Sequence, residues 1–159
     1  MSKTPNATPL IVAHRGDSAN APENTLASFR LALANGADGI ELDVMFSADQ
    51  KLVVIHDDTL DRTTNGHGLV GATPSDAIRE LDAGSRFGEK FKGEPVPLLD
   101  EVFAEFGGKF LINVELKNYK TPKDQLPDFV VALIKKHGLS ESVMLSSFNA
   151  RNLPRAKTL

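Results

Sequence analysis

Patterns of short strands and amphipathic helices alternate along this chain of 159 residues, and the alternation limits its fold more than any other feature. Five apolar segments are predicted as strands: 10–14, 39–44, 52–55, 110–116 and 142–146. Helical patterns cover 25–35, 74–81, 96–107 and 125–137. Strands separated by helices favour a parallel α/β sheet, either open with helices on both faces or closed into a barrel.

The connections between these elements carry their own signals. Asn24 is predicted to cap the first helix, and Gly36 and Gly138 are placed to end the first and last helices. The link from Val44 to Leu52 is too short for a helix and predicts a tight turn at 47–50. The stretch 57–97 is too long for an ordinary loop, so we expect an inserted subdomain above one end of the sheet.

Carboxylates recur on one face of two predicted strands. Because side chains alternate along a strand, Glu41 and Asp43 share a face, and Glu115 lies on the charged face of a later strand. A solvated face of an antiparallel sheet is the simpler alternative. Inside a covered sheet, however, three carboxylates repel one another unless a cation lies among them. Oxygen ligands favour a hard divalent ion, Mg²⁺ or Ca²⁺, and ligand type does not choose between these two.

Two histidines, His14 and His56, stand where predicted strands end. Functional residues of parallel α/β folds collect at the carboxyl ends of the strands, which is where we expect both imidazoles to lie with the acids. A single histidine there is more often structural than catalytic. Two of them beside a metal site favour a role in proton transfer.

Five short motifs in register resemble the glycerophosphodiester phosphodiesterase family, in its bacterial cytosolic type. They are His14-Arg15-Gly16, Pro22-Glu23-Asn24-Thr25, Glu41-Leu42-Asp43, His56-Asp57 and Glu115-Leu116-Lys117, and the similarity runs from residue 10 to about 148. Each motif alone is weak evidence, whereas five in the same order are specific. The resemblance implies a (β/α)₈ TIM barrel with an inserted subdomain after strand 3.

The same resemblance implies an activity and a set of roles. The activity is metal-dependent hydrolysis of glycerophosphodiesters to sn-glycerol 3-phosphate and an alcohol. Carried over by position, the roles are as follows: metal ligands Glu41, Asp43 and Glu115; acid/base pair His14 and His56; phosphate-binding residues Arg15 and Lys117; and supporting residues Glu23 and Asn113. The implied cofactor is one divalent metal ion, Mg²⁺ or Ca²⁺, and the implied partner is a small-molecule substrate.

Composition argues against several other classes of protein. The net charge of −3 and pI near 5.8 provide no basic surface for nucleic acid or an anionic membrane. Cysteine is absent, which excludes disulfides, thiolate zinc sites and a thiol nucleophile. Residues 1–9 lack the apolar core of a secretion signal, and no apolar run is long enough to span a bilayer. We therefore expect a cytoplasmic protein.

The chain of 159 residues is too short for the complete expected fold, because a (β/α)₈ barrel takes about 250 residues. We expect residues 1–159 to form a single, incomplete barrel domain with about the first five βα units, the insertion at 57–97, and strands six to eight outside this sequence. Association into a homo-oligomer stays open. Two functional alternatives also stay open: a catalytically dead regulatory module that keeps the metal and phosphate residues, and a related barrel phospholipase that cleaves lysophospholipids or sphingomyelin.

Overall fold

The computed structural model describes residues 9–159, so most of the segment 1–9 lies outside the described residues. The strands are β1 (Val12–His14), β2 (Gly39–Phe46), β3 (Leu52–Val54), β4 (Leu111–Leu116) and β5 (Val143–Ser146). The α-helices are α1 (Leu26–Ala34), α2 (Ser75–Arg79), α3 (Leu99–Phe106), α4 (Leu126–His137) and α5 (Asn152–Lys157). Every element predicted from the sequence is present, and α5 is an addition.

One sheet contains all five strands, in the order β1-β2-β4-β5, with β3 paired to β2 off this path. The pairs β1·β2, β2·β4 and β4·β5 are parallel. The register places His14 opposite Glu41, Asn113 opposite Glu41 on the other side, and Glu115 opposite Asp43. Parallel order with helical crossovers is the arrangement expected for part of a (β/α)₈ barrel.

The direction of β3 differs from the expectation of five parallel strands. Its residues pair antiparallel with the last part of β2, so that Val44 faces Val54 and Phe46 faces Leu52. A parallel neighbour needs a crossover of about a dozen residues or more, whereas the link 47–51 is a tight turn in which the Gln50 amide donates to the Ser47 carbonyl. The described residues therefore contribute four parallel strands and one antiparallel strand, β3, to the sheet.

The apolar faces of the two central strands form the core, as the alternation predicts. Ile40, Leu42 and Val44 of β2 are fully buried, and the equivalent residues of β4 are Ile112, Val114 and Leu116. They pack with apolar residues of α1, α3 and α4 in one cluster. Each such side chain contributes about 1.5–3 kcal/mol of hydrophobic stabilisation relative to exposure. This packing fixes which face of each strand points away from the helices.

The ends of two helices test the predicted caps. Thr25, not Asn24, is the N-cap of α1: its side chain accepts a hydrogen bond from the Ser28 amide, and the Ser28 hydroxyl oxygen accepts one from the Thr25 amide. The Asn24 prediction is wrong because that side chain is turned toward β2 instead. Gly138 ends α4 in the left-handed conformation (φ 68°), as predicted.

The segment that follows β3 packs against residues of β2 and β3 in a second, smaller apolar cluster. Its buried members are Met45, Val53, Ile55, Leu60, Val70, Ile78, Ala83 and Val96. Two short 3-10 helices (Val70–Ala72 and Glu89–Phe91) and α2 are the regular elements of this stretch. Its treatment as an insertion spanning 57–97 remains our proposal for the domain organisation.

Candidate active site

The acids of β2 and β4 are brought together by strand register. Because Asp43 pairs with Glu115 across the two strands, and Glu41 lies two residues earlier on the same face, the three carboxylates converge. One carboxylate oxygen from each lies within 4.8 Å of the other two. Asp43 is 1% exposed and Glu41 8% exposed, so the cluster lies at the bottom of the site.

The two histidines lie at the ends of strands that pair with β2 but run in opposite directions. His14 ends β1, which is parallel to β2, and His56 comes after β3, which is antiparallel to β2. His14 lies beside Glu41, with its Nε2 3.7 Å from Glu41 Oε2. His56 lies two residues after the end of β3. The residue between them, Ile55, donates a hydrogen bond from its amide to the Asp43 carbonyl, which places His56 next to Asp43. The sequence placed both imidazoles on the same rim but for the wrong reason, since β3 runs antiparallel. The Nδ1 atom of His56 lies 2.6 Å from Asp57 Oδ1.

Arg15 lies in a sharp turn after β1. Its φ of 57° and the φ of 80° at Gly16 are left-handed, and a Cβ on Gly16 would collide with Ser28. The turn lets the Arg15 amide donate to Glu41 Oε2 at 3.0 Å, while its guanidinium lies 3.3 Å from Asp43 Oδ2 and donates to Glu23 Oε1 at 3.0 Å. The strained backbone thus directs both the amide and the side chain of Arg15 at the acids.

Lys117 supplies the second cation of the site. Its Nζ lies 3.6 Å from Asp43 Oδ1 and 3.7 Å from Glu115 Oε1, and the side chain is 9% exposed. Tyr119 closes this side: its hydroxyl donates to Glu115, and its ring lies 5.1 Å from the ammonium. Burial and the bond to Glu115 raise the pKa of Tyr119. The phenol therefore stays a donor to the carboxylate at neutral pH.

These side chains face one cleft of about 440 Å³, lined by His14, Arg15, His56, Glu115, Lys117, Tyr119 and Phe148. A larger cavity of about 640 Å³ lies elsewhere, between the β2–β3 turn and α4, and contains none of the predicted site residues. The smaller cleft is the candidate site because the cationic and titratable groups converge there.

Electrostatics of the cluster indicate a deficit of positive charge. Burial raises the pKa of Glu41 from its usual 4.5 to about 7, and repulsion from Asp43 and Glu115 adds to the rise. Arg15 opposes it only in part. A carboxyl held in this way is ionised more readily when a cation joins the cluster.

The donor atoms of the cluster fit a hard divalent cation. Glu41 Oε1 and Asn113 Oδ1 are buried and have no hydrogen-bond partner within residues 9–159. Unpaired buried oxygens carry a desolvation penalty that a metal ion can offset. Oxygen donors are the ligands that Mg²⁺ and Ca²⁺ prefer. The residues present therefore suit the predicted metal.

Comparison with known proteins agrees with this site. The sequence profile described as the glycerophosphoryl diester phosphodiesterase family matches residues 14–159, which include every motif residue above. The chain belongs to this family. Its sequence is 49% identical over 151 residues to a glycerophosphodiester phosphodiesterase of Caldanaerobacter subterraneus subsp. tengcongensis, covering 94% of this chain and 62% of the relative.

Solved structures of the phosphodiesterase family share the fold. A glycerophosphodiester phosphodiesterase of Agrobacterium tumefaciens superposes with a TM-score of 0.86 at 44% identity, covering 95% of this chain and 63% of that one. A phosphodiesterase of Oleispira antarctica, in complex with the product sn-glycerol-3-phosphate, gives 0.87 at 41% identity, covering 95% and 62%. The predicted partial TIM barrel is confirmed, and the chain spans about three fifths of the length of these relatives.

Three residues contact the site in ways that the sequence analysis does not predict: Asn24, which it assigns to a helix cap, Asp57, which it names only as part of a motif, and Arg62, which it does not name. Asn24 donates to Asp43 Oδ2 at 2.9 Å and accepts from the Asp43 amide at 3.3 Å, with a left-handed φ of 56°. Asp57 and Arg62 form a network behind His56. The unusual backbone of Asn24 has no sequence signal beyond its residue type, which also fits a helix cap.

Proposed function

We propose that this protein hydrolyses glycerophosphodiesters to sn-glycerol 3-phosphate and an alcohol in a metal-dependent reaction. One observation carries the proposal: three carboxylates within 4.8 Å of one another adjoin two cations and two histidines at a single cleft. A phosphodiester needs positive charge for its phosphate and proton donors and acceptors for the two oxygens that exchange. The cleft contains both kinds of group.

The relatives support the choice of substrate. The relative from Caldanaerobacter bears the name glycerophosphodiester phosphodiesterase, and the structure from Oleispira holds sn-glycerol-3-phosphate as product. This chain contains about three fifths of their length, so the substrate assignment for the whole protein is part of the proposal.

Glu41, Asp43 and Glu115 would hold one divalent ion, Mg²⁺ or Ca²⁺. When bound, this ion would neutralise charge on the phosphoryl oxygens and polarise the phosphorus centre. Asn113 would support the set through its buried, unpaired Oδ1 next to Glu41. The pKa of Glu41, raised to about 7, supports this assignment because the carboxyl gains most from an added cation.

Arg15 and Lys117 would bind the phosphate. The side chain of Arg15 is 19% exposed and that of Lys117 is 9% exposed, so both are largely shielded from water. Charge-assisted hydrogen bonds are stronger in such a shielded position than in water. Glu23 would support Arg15 through their 3.0 Å hydrogen bond. Together the two cations would counter the charge that builds on the phosphate during displacement.

His14 and His56 would move the protons. Hydrolysis forms a bond from phosphorus to an incoming hydroxyl oxygen and breaks the bond to the alcohol oxygen. One imidazole would take the proton of the incoming hydroxyl, and the other would give a proton to the departing alkoxide. Imidazoles suit this exchange because they titrate near neutral pH.

Product release from defined substrates tests the proposal. The protein, with Mg²⁺ or Ca²⁺ added, should release sn-glycerol 3-phosphate from glycerophosphocholine and glycerophosphoethanolamine, measured by a dehydrogenase-coupled assay. His14→Ala and His56→Ala should lower kcat by about 10²–10⁴-fold. His67→Ala is the matched control, because His67 is 77% exposed and pairs with Asp61 outside the cleft.

Two other outcomes would change the assignment. Release of choline, with the phosphate left on the lipid in linear or cyclic form, from lysophosphatidylcholine or sphingomyelin, without activity on glycerophosphodiesters, would indicate the related barrel phospholipase. Metal binding without cleavage of any of these substrates would indicate the regulatory module.

Cellular location and assembly stay predictions of the sequence. Within residues 9–159 no helix has the length and apolar character needed to cross a membrane. We propose a cytoplasmic protein, to be checked by cell fractionation. Self-association is to be checked by sedimentation.

A further inference from the structure

Arg62 lies in the segment that follows β3 and binds two carboxylates at once. Its Nη1 and Nη2 donate to Glu23 at 2.7 and 2.8 Å, and its Nε and Nη2 donate to Asp57 at 2.6 and 3.1 Å. All three nitrogens of the guanidinium are therefore used. Such bidentate pairs are stronger and more directional than ordinary surface ion pairs.

Each of these carboxylates holds a residue of the proposed active site. Asp57 Oδ1 lies 2.6 Å from His56 Nδ1. Glu23 Oε1 accepts from Arg15 at 3.0 Å, and Arg15 in turn lies beside Asp43. One guanidinium thus connects, through two carboxylates, a proposed acid/base residue and a proposed phosphate-binding residue.

The chemical consequence is clearest at His56. Hydrogen bonds from Arg62 hold the pKa of Asp57 at about 2, so this carboxylate is ionised and can only accept. The Nδ1 of His56 must then carry the proton in the neutral ring. Nε2 is left as the atom that takes up or gives a proton, which is the tautomer control that carboxylates exert on catalytic histidines.

At Arg15 the consequence is orientation. Hydrogen bonds from Arg62 and Arg15 lower the pKa of Glu23, so Glu23 also stays ionised. An ionised Glu23 fixed by Arg62 gives the Arg15 guanidinium a second carboxylate partner beside Asp43. Glu23 holds the Nη1 end of the guanidinium while the Nε end lies beside Asp43, and the two contacts together fix the orientation of Arg15.

We propose that Arg62 is a positioning residue that holds His56 through Asp57 and Arg15 through Glu23. This inference rests on the proposed function, since it assigns Arg62 a part in that reaction without contact with the substrate. It also gives the segment 57–97 a role at the site, because this segment contributes Arg62, which holds Glu23 and Asp57 in place.

Arg79 offers a matched control within the same segment. It pairs with Glu101 of α3, and its side chain is exposed to a similar extent, 39% against 47% for Arg62. Its partner lies on the covering helix and lines no part of the cleft. If Arg62 only anchored this segment to the rest of the fold, as Arg79 does, replacing either arginine would have a similar effect on activity.

Steady-state kinetics test the positioning role of Arg62. Arg62→Ala should lower kcat/KM by about 10–100-fold, the effect usual for residues that orient ligating or catalytic groups. Arg62→Lys should recover little, because an ammonium cannot bind two carboxylates bidentately. Asp57→Asn should lower kcat more than it raises KM, and Glu23→Gln should do the reverse. Arg79→Ala should stay within about twofold of the wild type.

Chemical rescue separates positioning from folding. Millimolar guanidinium should restore part of the kcat of Arg62→Ala, whereas methylammonium should not, and Arg79→Ala should respond to neither. Activity lost through a destabilised fold would be restored by neither cation.

A third measurement does not depend on activity. The ¹⁵N shifts of His56 at a pH where the ring is neutral should report Nδ1–H in the wild type and a mixture of tautomers in Arg62→Ala and Asp57→Asn. Unchanged shifts together with unchanged kcat/KM in Arg62→Ala would overturn the inference. If the wild type cleaves no glycerophosphodiester, the proposed function fails, and the ¹⁵N comparison still decides whether Arg62 controls His56.

Discussion

Replacement of Glu41 by glutamine should make the metal-free protein more stable at neutral pH. In the folded chain burial raises the pKa of Glu41 from 4.5 to about 7, with Asp43 and Glu115 contributing. Between these two pH values the unfolded state has lost the Glu41 proton while the folded state retains it. Stability from this group is therefore complete below pH 4.5 and falls as the pH rises to about 7.

The size of the effect follows from the shift. One pKa unit corresponds to about 1.4 kcal/mol, so the rise from 4.5 to about 7 sets an upper bound of about 3.5 kcal/mol for Glu41. The side chain is 11% exposed, and the neighbouring His14 and Glu115 line an open cleft, so solvent screening reduces this value, and we expect about 1–3 kcal/mol. Glutamine has nearly the same volume and does not titrate, which isolates the charge.

Urea unfolding in the presence of a chelator measures this quantity. The free energy of unfolding of Glu41→Gln minus that of the wild type should increase by about 1–3 kcal/mol from pH 4.5 to pH 8. Added Mg²⁺ or Ca²⁺ should stabilise the wild type and have little effect on the variant, because only the folded state binds the ion. Glu105→Gln, which loses a surface pair with Arg30, should keep the metal response.

A difference between variant and wild type that does not change with pH would refute the argument. It would mean that Glu41 is ionised without a metal, and that the cluster has no deficit of positive charge.

Three further predictions concern the core, the phosphate contact and the metal. Leu42→Ala, at a fully buried position, should lower the free energy of unfolding by about 2–5 kcal/mol in urea titrations. Lys117→Met should lower kcat/KM by about 10–100-fold, as expected when a charge-assisted contact of about 1.5–3 kcal/mol is lost, and an unchanged value would remove Lys117 from the phosphate site. Asn24→Ala should weaken Mg²⁺ or Ca²⁺ binding by about 10–100-fold in calorimetry, because Asn24 orients Asp43; equal affinity would contradict this role.

Strand periodicity accounts for what the sequence could predict of the site. Alternation along β2 and β4 places Glu41, Asp43 and Glu115 on the face opposite the core, and the parallel register then brings them together. No long-range information is needed beyond the assumption that the two strands are neighbours. The geometry of the acids could therefore be predicted from local pattern.

The antiparallel direction of β3 is not among the predictions from the sequence, although the short link before it implies that direction. The tight turn at 47–50 was recognised, and a link of that length permits only antiparallel pairing with β2. Apolar content alone does not encode strand direction, so the third strand was assumed to be parallel. His56 reached its expected place because β3 returns to the level of Asp43.

The network around Arg62 could not be predicted from the sequence. Arg62 lies 39 residues from Glu23, and no periodic pattern relates the two positions. Their contact depends on how the segment after β3 folds back over α1 and the turn before it. Asn24 was misassigned for a related reason: the residue types that cap helices are also those that tolerate left-handed backbone beside a site.

The central claim is that Glu41, Asp43 and Glu115 hold one divalent ion that the hydrolysis of glycerophosphodiesters requires. The most direct test is to strip the protein with a chelator, titrate Mg²⁺ or Ca²⁺ by calorimetry, and follow release of sn-glycerol 3-phosphate from glycerophosphocholine in the same samples. We predict one ion per chain, activity that returns in proportion to the bound ion, and loss of both in Glu115→Gln. Full activity in the stripped protein, or metal binding that Glu115→Gln leaves unchanged, would contradict the claim.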